Sequence, residues 1–159
     1  MGENLRGLQE GLTAPVAPVF VVHSLAHGLA AASAAVEAGR PIVLLSARDA
    51  GIYAGPGWFR ELVAAIREAV PEARLRPILD CGDDAGAAMA AIRAGVEAIV
   101  FTGGAEVAAR LRSIADAQGC RLGADRPPAV LDLGDRFFAD PETLRRRCAE
   151  ALASPRAIC

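Results

Sequence analysis

Residues Leu79 to Thr102, LDCGDDAGAAMAAIRAGVEAIVFT, carry the clearest information about the fold. It opens with the end of an apolar run and passes through a turn into an alanine-rich segment of helical length. Gly95 then supplies the residue type that commonly ends a helix. A second apolar run, Ala98 to Thr102, follows at once. The stretch therefore predicts one βα unit and the first strand of the next.

The same alternation extends in both directions along the chain. Strands are predicted at Val16–Val22, Pro41–Ser46, Arg74–Asp80 and Ala98–Thr102, and helices at Leu25–Ala38, Trp58–Ala69, Asp83–Ala94 and Ala105–Gln118. Ser24 is predicted to cap the first helix, and residues 47–57 are predicted to form a loop. After Gly119, a fifth strand is expected at Cys120–Gly123 or at Ala129–Leu133. A last helix is expected to begin at Pro141 and to end near Leu152.

A chain of 159 residues suits a single α/β domain. We divide it into an N-terminal helical extension (residues 1–14), four βα units (15–119), and a fifth strand with a C-terminal helix (120–159). Such parallel βα repeats fit a half TIM-barrel-like (βα)4–5 arrangement with the strands in sequential order. They equally fit a flavodoxin-like doubly wound sheet, in which strand one lies between strands two and three. Periodicity does not choose between the two.

Composition narrows the classes of function. The net charge is −2 and all 17 basic residues are arginine, so the chain has no electrostatic footprint for nucleic acid. The absence of lysine excludes a Schiff-base aldolase and a P-loop nucleotide site. The four cysteines lack paired spacing, which argues against a disulfide framework or a zinc knuckle. With no signal peptide and no long apolar run, we expect a cytoplasmic protein that does not contact a membrane.

The candidate site residues follow the predicted strands, where ligand sites of parallel α/β folds gather. They are His23, Ser46, Asp80, Cys81, Thr102, Gly103 and Gly104. Asp80 and His23 are the catalytic candidates, with Asp80 as a general acid or base. Ser46, Thr102 and the two glycines are ligand-binding candidates, since free N–H groups at a helix start can hold an anion. Cys81 is a weak candidate for a metal ligand, and a buried thiol is the alternative.

Four pieces of the chain resemble class II (metal-dependent) fructose-bisphosphate and tagatose-bisphosphate aldolases. Leu79-Asp80-Cys81-Gly82 resembles the family's Leu-Asp-His-Gly motif, and Phe20 to Leu25 resembles its Phe-Asn-Val-x-Asn-Leu motif. Arg40 to Gly55 resembles a proline-led strand that is followed in the family by Gly-Ala-x-x-Tyr-x-Gly. Ile99 to Gly104 resembles the family's Val-Met-Ile/Phe-Asp-Gly-Ser strand. The pieces occur in the family's order, and together they match roughly the first half of such an enzyme.

The resemblance implies metal-dependent aldol chemistry, but this sequence lacks most of the metal-binding residues that the chemistry needs. The family uses a metal held mainly by histidines and an aspartate that transfers a proton. Asp80 stands at the position of that aspartate, but Cys81 stands at the first metal-ligand position. Neither His23 nor His27 falls at a matching ligand position. The sequence therefore does not establish a cofactor, and a bound divalent metal ion is the less favoured alternative. The resemblance therefore implies a degenerate aldolase-like domain without bisphosphate aldolase activity, binding a small anionic or carbonyl metabolite.

An enzyme remains the alternative. An oligomeric, lyase-like protein would place its pocket at the carboxyl ends of the strands and use Asp80 as general acid or base. In either case, a half barrel leaves its first and last strands with unpaired backbone groups. The terminal segments, Met1–Leu12 and Pro141–Leu152, or a second copy of the chain are expected to cover these edges. We therefore expect a homodimer.

Overall fold

The computed structural model describes residues 16–154, and its centre is one six-stranded, all-parallel sheet. The strands are β1 (Val19–Val22), β2 (Ile42–Ser46), β3 (Leu75–Asp80), β4 (Ala98–Val100), β5 (Arg121–Gly123) and β6 (Leu131–Asp132). Their order across the sheet is β5-β4-β3-β2-β1-β6. The first five strands are thus neighbours in sequential order, as in a partial barrel. The flavodoxin-like alternative is wrong, because it requires β1 to lie between β2 and β3.

Between residues 16 and 154, six α-helices connect or follow the strands. They are α1 (Leu25–Glu37), α2 (Ala50–Tyr53), α3 (Gly55–Ala69), α4 (Ala85–Arg93), α5 (Ala105–Ala117) and α6 (Pro141–Ala153). The predicted cap at Ser24 is confirmed, since its Oγ accepts a hydrogen bond from the His27 backbone at 3.3 Å. The loop predicted for residues 47–57 is wrong in part. It contains the single turn α2, and α3 begins at Gly55, three residues before Trp58.

The sheet has two unlike faces. Phe20, Leu44 and Leu79 point to one face, where they form the main core together with residues of the helices. The other face carries a smaller apolar cluster drawn from the strands and the segment before β1, with Val21, Val43 and Leu45 among its members. Successive right-handed crossovers place helices on one side of a sequentially ordered parallel sheet. We call the helix-free side the concave face.

The two sequence candidates for a fifth strand are both strands, at opposite edges of the sheet. β5 pairs with β4, and β6 pairs with β1 through Phe20↔Leu131 and Val21↔Asp132. Seven residues, 124–130, join them. A flat sheet would separate its two edge strands by five spacings, about 24 Å. Because a seven-residue link containing two prolines can barely reach that far, the sheet has to curve so that its edges approach each other.

The terminal segments were predicted to cover the edge strands of the sheet. α6 packs along α1 on the outer side of the sheet, and the edge of β1 is covered by β6. The predicted extension over residues 1–14 lies outside the described residues. None of the helices within residues 16–154 is long and apolar enough to cross a bilayer.

Candidate functional site

A histidine and an aspartate meet where β1 and β6 end. His23 follows β1, and its Nε2 lies 2.7 Å from Oδ1 of Asp132, the last residue of β6. The backbone N–H of Gly134 donates to the same oxygen at 2.9 Å. A Cβ on Gly134 would stand 2.8 Å from Nε2 of His23, so only glycine lets the backbone come this close. The pairing of β6 with β1 therefore creates a His–Asp pair that neither strand holds alone.

His27 supports this pair from one helical turn further on. Its ring is fully buried, and its Nδ1 accepts a hydrogen bond from the His23 backbone at 3.1 Å. Burial lowers the pKa of His27 and repulsion from His23 adds to this, against the opposing influence of the Arg136 backbone and the Asp132 charge. Because Nδ1 accepts, the neutral ring carries its proton on Nε2. Nε2 has no hydrogen-bond partner among the described residues, and Phe137 packs edge-on against the ring at 5.9 Å.

Asp80, at the end of β3, has both carboxylate oxygens engaged. Its Oδ1 accepts hydrogen bonds from the backbone N–H groups of Asp49, at 3.1 Å, and Gly82, at 2.8 Å. Its Oδ2 accepts from Nη1 of Arg126 in an ion pair. The Asp80 side chain is 1% exposed and that of Arg126 is 15% exposed. This carboxylate is therefore a buried, fully bonded anchor for the segment between β5 and β6.

Ser46 joins the same cluster from β2. Its Oγ accepts the Asp80 backbone N–H at 2.9 Å and donates to the Ala47 carbonyl at 3.0 Å. Nη2 of Arg126 donates to the Ser46 carbonyl at 2.9 Å. The planar guanidinium thus spans the carboxyl ends of β2 and β3 with one nitrogen on each.

The two pairs are electrostatically linked into one row. Partial burial acts to raise the pKa of Asp132, but the Gly134 N–H, the His23 ring and the positive charge of Arg126 hold it below its ordinary value. We call Asp80, Arg126, Asp132 and His23 the carboxyl-end charge row. Its acids and His23 lie at the carboxyl ends of β1, β3 and β6, and Arg126 comes from the link between β5 and β6.

Cys81 points away from this row. Its side chain is fully buried in the core between sheet and helices, and a Cβ on Gly51 would stand 2.8 Å from its Sγ. Burial, with the nearby charge of Asp80, raises the pKa of the Cys81 thiol to about 12. A thiol has to ionise to bind a metal ion tightly, and this environment opposes ionisation. Within residues 16–154 no three His, Cys, Asp or Glu side chains are grouped so that they could hold a metal ion.

The remaining ligand-binding candidates lie beyond β4. Thr102 is exposed, and its backbone N–H donates to the Gly82 carbonyl at 2.7 Å. Gly103 packs so closely on the Phe101 ring that a Cβ would lie 2.3 Å from its Cζ. Gly104 precedes α5 and provides no side-chain cap. Ser46 and Asp80 are joined by a hydrogen bond, and His23 pairs with Asp132 instead. Thr102 contacts the Gly82 backbone rather than a member of the charge row.

Arg126 and Asp132 were missed by reasoning from the sequence. Arg126 lies in a turn-like Asp-Arg-Pro-Pro run, and its partner Asp80 is 46 positions away. Asp132 lies in an apolar run that was one of two alternatives for a single strand. The available signal was its position, since Asp132 ends an apolar run two residues before a glycine, as Asp80 does.

Comparison with known proteins supports the fold. No family model matches the chain, and no curated protein matches it. Among solved structures, one similar chain is a candidate fructose-1,6-bisphosphate aldolase from Coccidioides immitis. The two share 20% sequence identity with a TM-score of 0.57, over 68% of this chain and 40% of that one. The matched region thus spans well under half of the neighbour's length. At this identity the likeness shows the fold alone, a partial barrel of parallel βα units.

Proposed function

We propose that this chain is a degenerate aldolase-like domain that lacks bisphosphate aldolase activity and binds a small anionic or carbonyl metabolite. The observation that carries the proposal is the ion pair between Arg126 and Asp80. A general acid or base needs an oxygen that the substrate can reach. Both oxygens of Asp80 are occupied by partners from its own chain, in a site that is almost closed to solvent.

The donor set also does not fit the divalent metal that class II aldolases use. Cys81 stands at the position of the family's first histidine ligand, yet its thiol is turned into the helix-side core and its pKa is raised to about 12. Without a metal ion to polarise the ketone, the enediolate formed by aldol cleavage lacks its main source of stabilisation. Both arguments favour a scaffold retained without its original chemistry.

Aldol cleavage provides the direct test. The purified protein would be incubated with fructose 1,6-bisphosphate and with tagatose 1,6-bisphosphate, each with added Zn²⁺ or Co²⁺, and triose phosphate release would be followed. We expect no metal-dependent turnover, while an authentic class II aldolase in the same assay reports normally. Turnover that disappears in Asp80→Asn would overturn the proposal and establish the lyase-like enzyme with Asp80 as its acid or base.

A second candidate function rests on the His23–Asp132 pair. A carboxylate 2.7 Å from one imidazole nitrogen holds the ring in a fixed orientation, as in many general bases. His23 could then remove a proton next to a carbonyl group without help from Asp80. Exchange of the carbon-bound protons of dihydroxyacetone phosphate in D₂O, followed by NMR, tests this. The candidate function predicts exchange that falls about 100-fold or more in His23→Gln, and absence of exchange in the unmodified protein would exclude it for this substrate.

The predicted homodimer belongs to the same proposal. Native mass spectrometry across a range of protein concentrations would measure the assembly state, with metal analysis on the same sample. A dimer supports the expected covering of the open sheet edge by a second copy. A species that stays monomeric at high concentration contradicts it.

A further inference from the structure

Two arginines interrupt the apolar concave face. Along each strand, alternate residues point to this face, and in β1 and β2 those residues include Val21 and Val43. In β3 and β5 the corresponding positions include Arg76 and Arg121. Arg76 is the second residue of β3 and Arg121 is the first residue of β5. Because both point to the side that carries apolar residues elsewhere, neither packs in the helix-side core.

The register places both arginines within reach of one small ligand. β4 lies between β3 and β5, and Ala98 pairs directly with Arg121. The Cα atoms of Arg76 and Arg121 are therefore two strands apart and offset by about two residues along the strands, roughly 12 Å in all. An extended arginine side chain reaches about half that distance. The small side chain of Ala98 leaves open space between the two guanidinium groups.

A cavity of about 410 Å³ occupies that space. Its lining includes Arg76 and Arg121 together with apolar side chains such as Val43, Ile78 and Val100. Asp125 is the one carboxylate among the lining residues. The cavity lies lower on the strands than the charge row, and it is large enough for a small metabolite.

Within residues 16–154, neither guanidinium is neutralised by a carboxylate. Arg67, Arg110, Arg126, Arg136, Arg145 and Arg147 each form an ion pair with a carboxylate. Arg76 and Arg121, by contrast, make no side-chain hydrogen bond or ion pair with any residue between 16 and 154. Two unpaired guanidinium groups facing one concavity repel each other and attract an anion.

We propose that this concave-face cavity is an anion-binding site, in which Arg76 and Arg121 hold the phosphate or carboxylate group of a small metabolite. The apolar wall formed by Val43, Ile78 and Val100 contacts the less polar part of the ligand. The inference rests on the proposed function, because it locates the small anionic ligand of that function. It places the ligand away from Asp80, whose charge would repel an anion.

Titration calorimetry with defined probes tests the site. The probes are inorganic phosphate, pyrophosphate and citrate, which separate phosphate from carboxylate recognition. Arg76→Gln and Arg121→Gln are compared with Arg112→Gln. Arg112 is an exposed arginine of α5 that also forms no ion pair with the described part of the chain. We expect at least one probe to bind, with affinity falling about 10- to 100-fold in each site variant. The control variant should retain the affinity of the unmodified protein.

Chemical modification provides a second readout that needs no variant. Phenylglyoxal reacts with accessible arginines, and peptide mapping by mass spectrometry assigns each adduct. The bound probe should protect Arg76 and Arg121 and leave Arg112 reactive. Binding with unchanged affinity in both site variants would overturn the site but leave the proposed function standing. Absence of binding by every probe at about millimolar concentration, the weakest useful affinity, would overturn the site, while the aldol cleavage assay would still decide the proposed loss of activity.

Discussion

Replacing Arg126 by methionine should destabilise the protein more than any substitution of an exposed arginine. The change removes the charge and two hydrogen bonds, one to Asp80 and one to the Ser46 carbonyl, and keeps a side chain of similar length. Asp80 would remain a buried carboxylate, 1% exposed, with two backbone N–H groups as its only compensation.

The size of the effect follows from these contacts. Removing one partner of a fully buried ion pair costs about 3–5 kcal/mol, and a hydrogen bond to a charged group contributes about 1.5–3 kcal/mol. Because Arg126 is partly exposed and Asp80 retains two donors, we expect the free energy of unfolding to fall by about 2–4 kcal/mol. For a chain of this size, each kcal/mol lowers the melting temperature by about 2–4 °C.

Urea unfolding of a double-mutant cycle measures this effect. The cycle consists of Arg126→Met, Asp80→Asn and the double variant, with Arg112→Met as the matched surface control. The double variant should be less destabilised than the sum of the single variants, by about 1–3 kcal/mol. Hydrogen exchange adds a local readout, since the backbone N–H groups of Val130 and Leu133 donate to β1 and should exchange faster once the anchor is lost.

The reasoning is refuted by either of two results. One is a cost for Arg126→Met within about 0.5 kcal/mol, the range of ordinary surface substitutions such as the control. The other is strict additivity of the two single variants, which would show that Arg126 and Asp80 contribute independently. In both cases the ion pair would not be the anchor of the segment between β5 and β6.

Three further predictions concern the buried groups. His27 is neutral in the fold, with its pKa lowered mainly by burial, whereas in the unfolded chain it takes up a proton below about pH 6.5. Unfolding free energy should therefore fall between pH 7.5 and 5, by at most about 1.4 kcal/mol per pH unit from this group, and His27→Leu should flatten the slope; an unchanged slope contradicts this. Cys81 should resist iodoacetamide in the native protein and react in urea, as peptide mapping would show, and rapid native alkylation would disprove its burial. Gly28→Ala should cost about 1–3 kcal/mol, since its Cβ would lie 2.2 Å from Cδ1 of Ile66. Adding Ile66→Val, which removes that atom, should recover part of the loss in thermal unfolding, and additive losses would argue against the clash.

The regular part of the fold could be predicted because each element carries its own local signal. Glycines at positions 39, 95 and 119 have φ of +65°, +76° and +71° and end their helices as expected. The last two strands, β5 and β6, could not be predicted from local sequence. β5 and β6 contain three and two residues, too few to show a period, and their positions depend on pairing with β4 and β1. Local sequence does not encode such long-range pairing.

The same limit explains how far the candidate site was predictable. His23, Ser46 and Asp80 were candidates because each lies at the end of a strand that the sequence predicts. Their partners were not found, because Arg126 and Asp132 belong to the segment whose path depends on curvature of the whole sheet. The sequence also leaves open whether a strand-end carboxylate is available to a ligand or bonded within the chain. For Asp80 that choice depends on Arg126 together with the backbone N–H groups of Asp49 and Gly82.

Closing the sheet and using Asp80 as a catalyst make competing demands on one carboxylate. The link of residues 124–130 has to bring β6 to the free edge of β1 in only seven residues, so it needs a firm attachment where it passes the strand ends. Arg126 supplies that attachment by bonding β2 and β3 together with the link. A proton-transferring aspartate would instead have to exchange partners during each turnover, releasing the link each time. The geometry therefore favours a fixed scaffold at the carboxyl ends, and the anion site proposed on the concave face places no demand on Asp80.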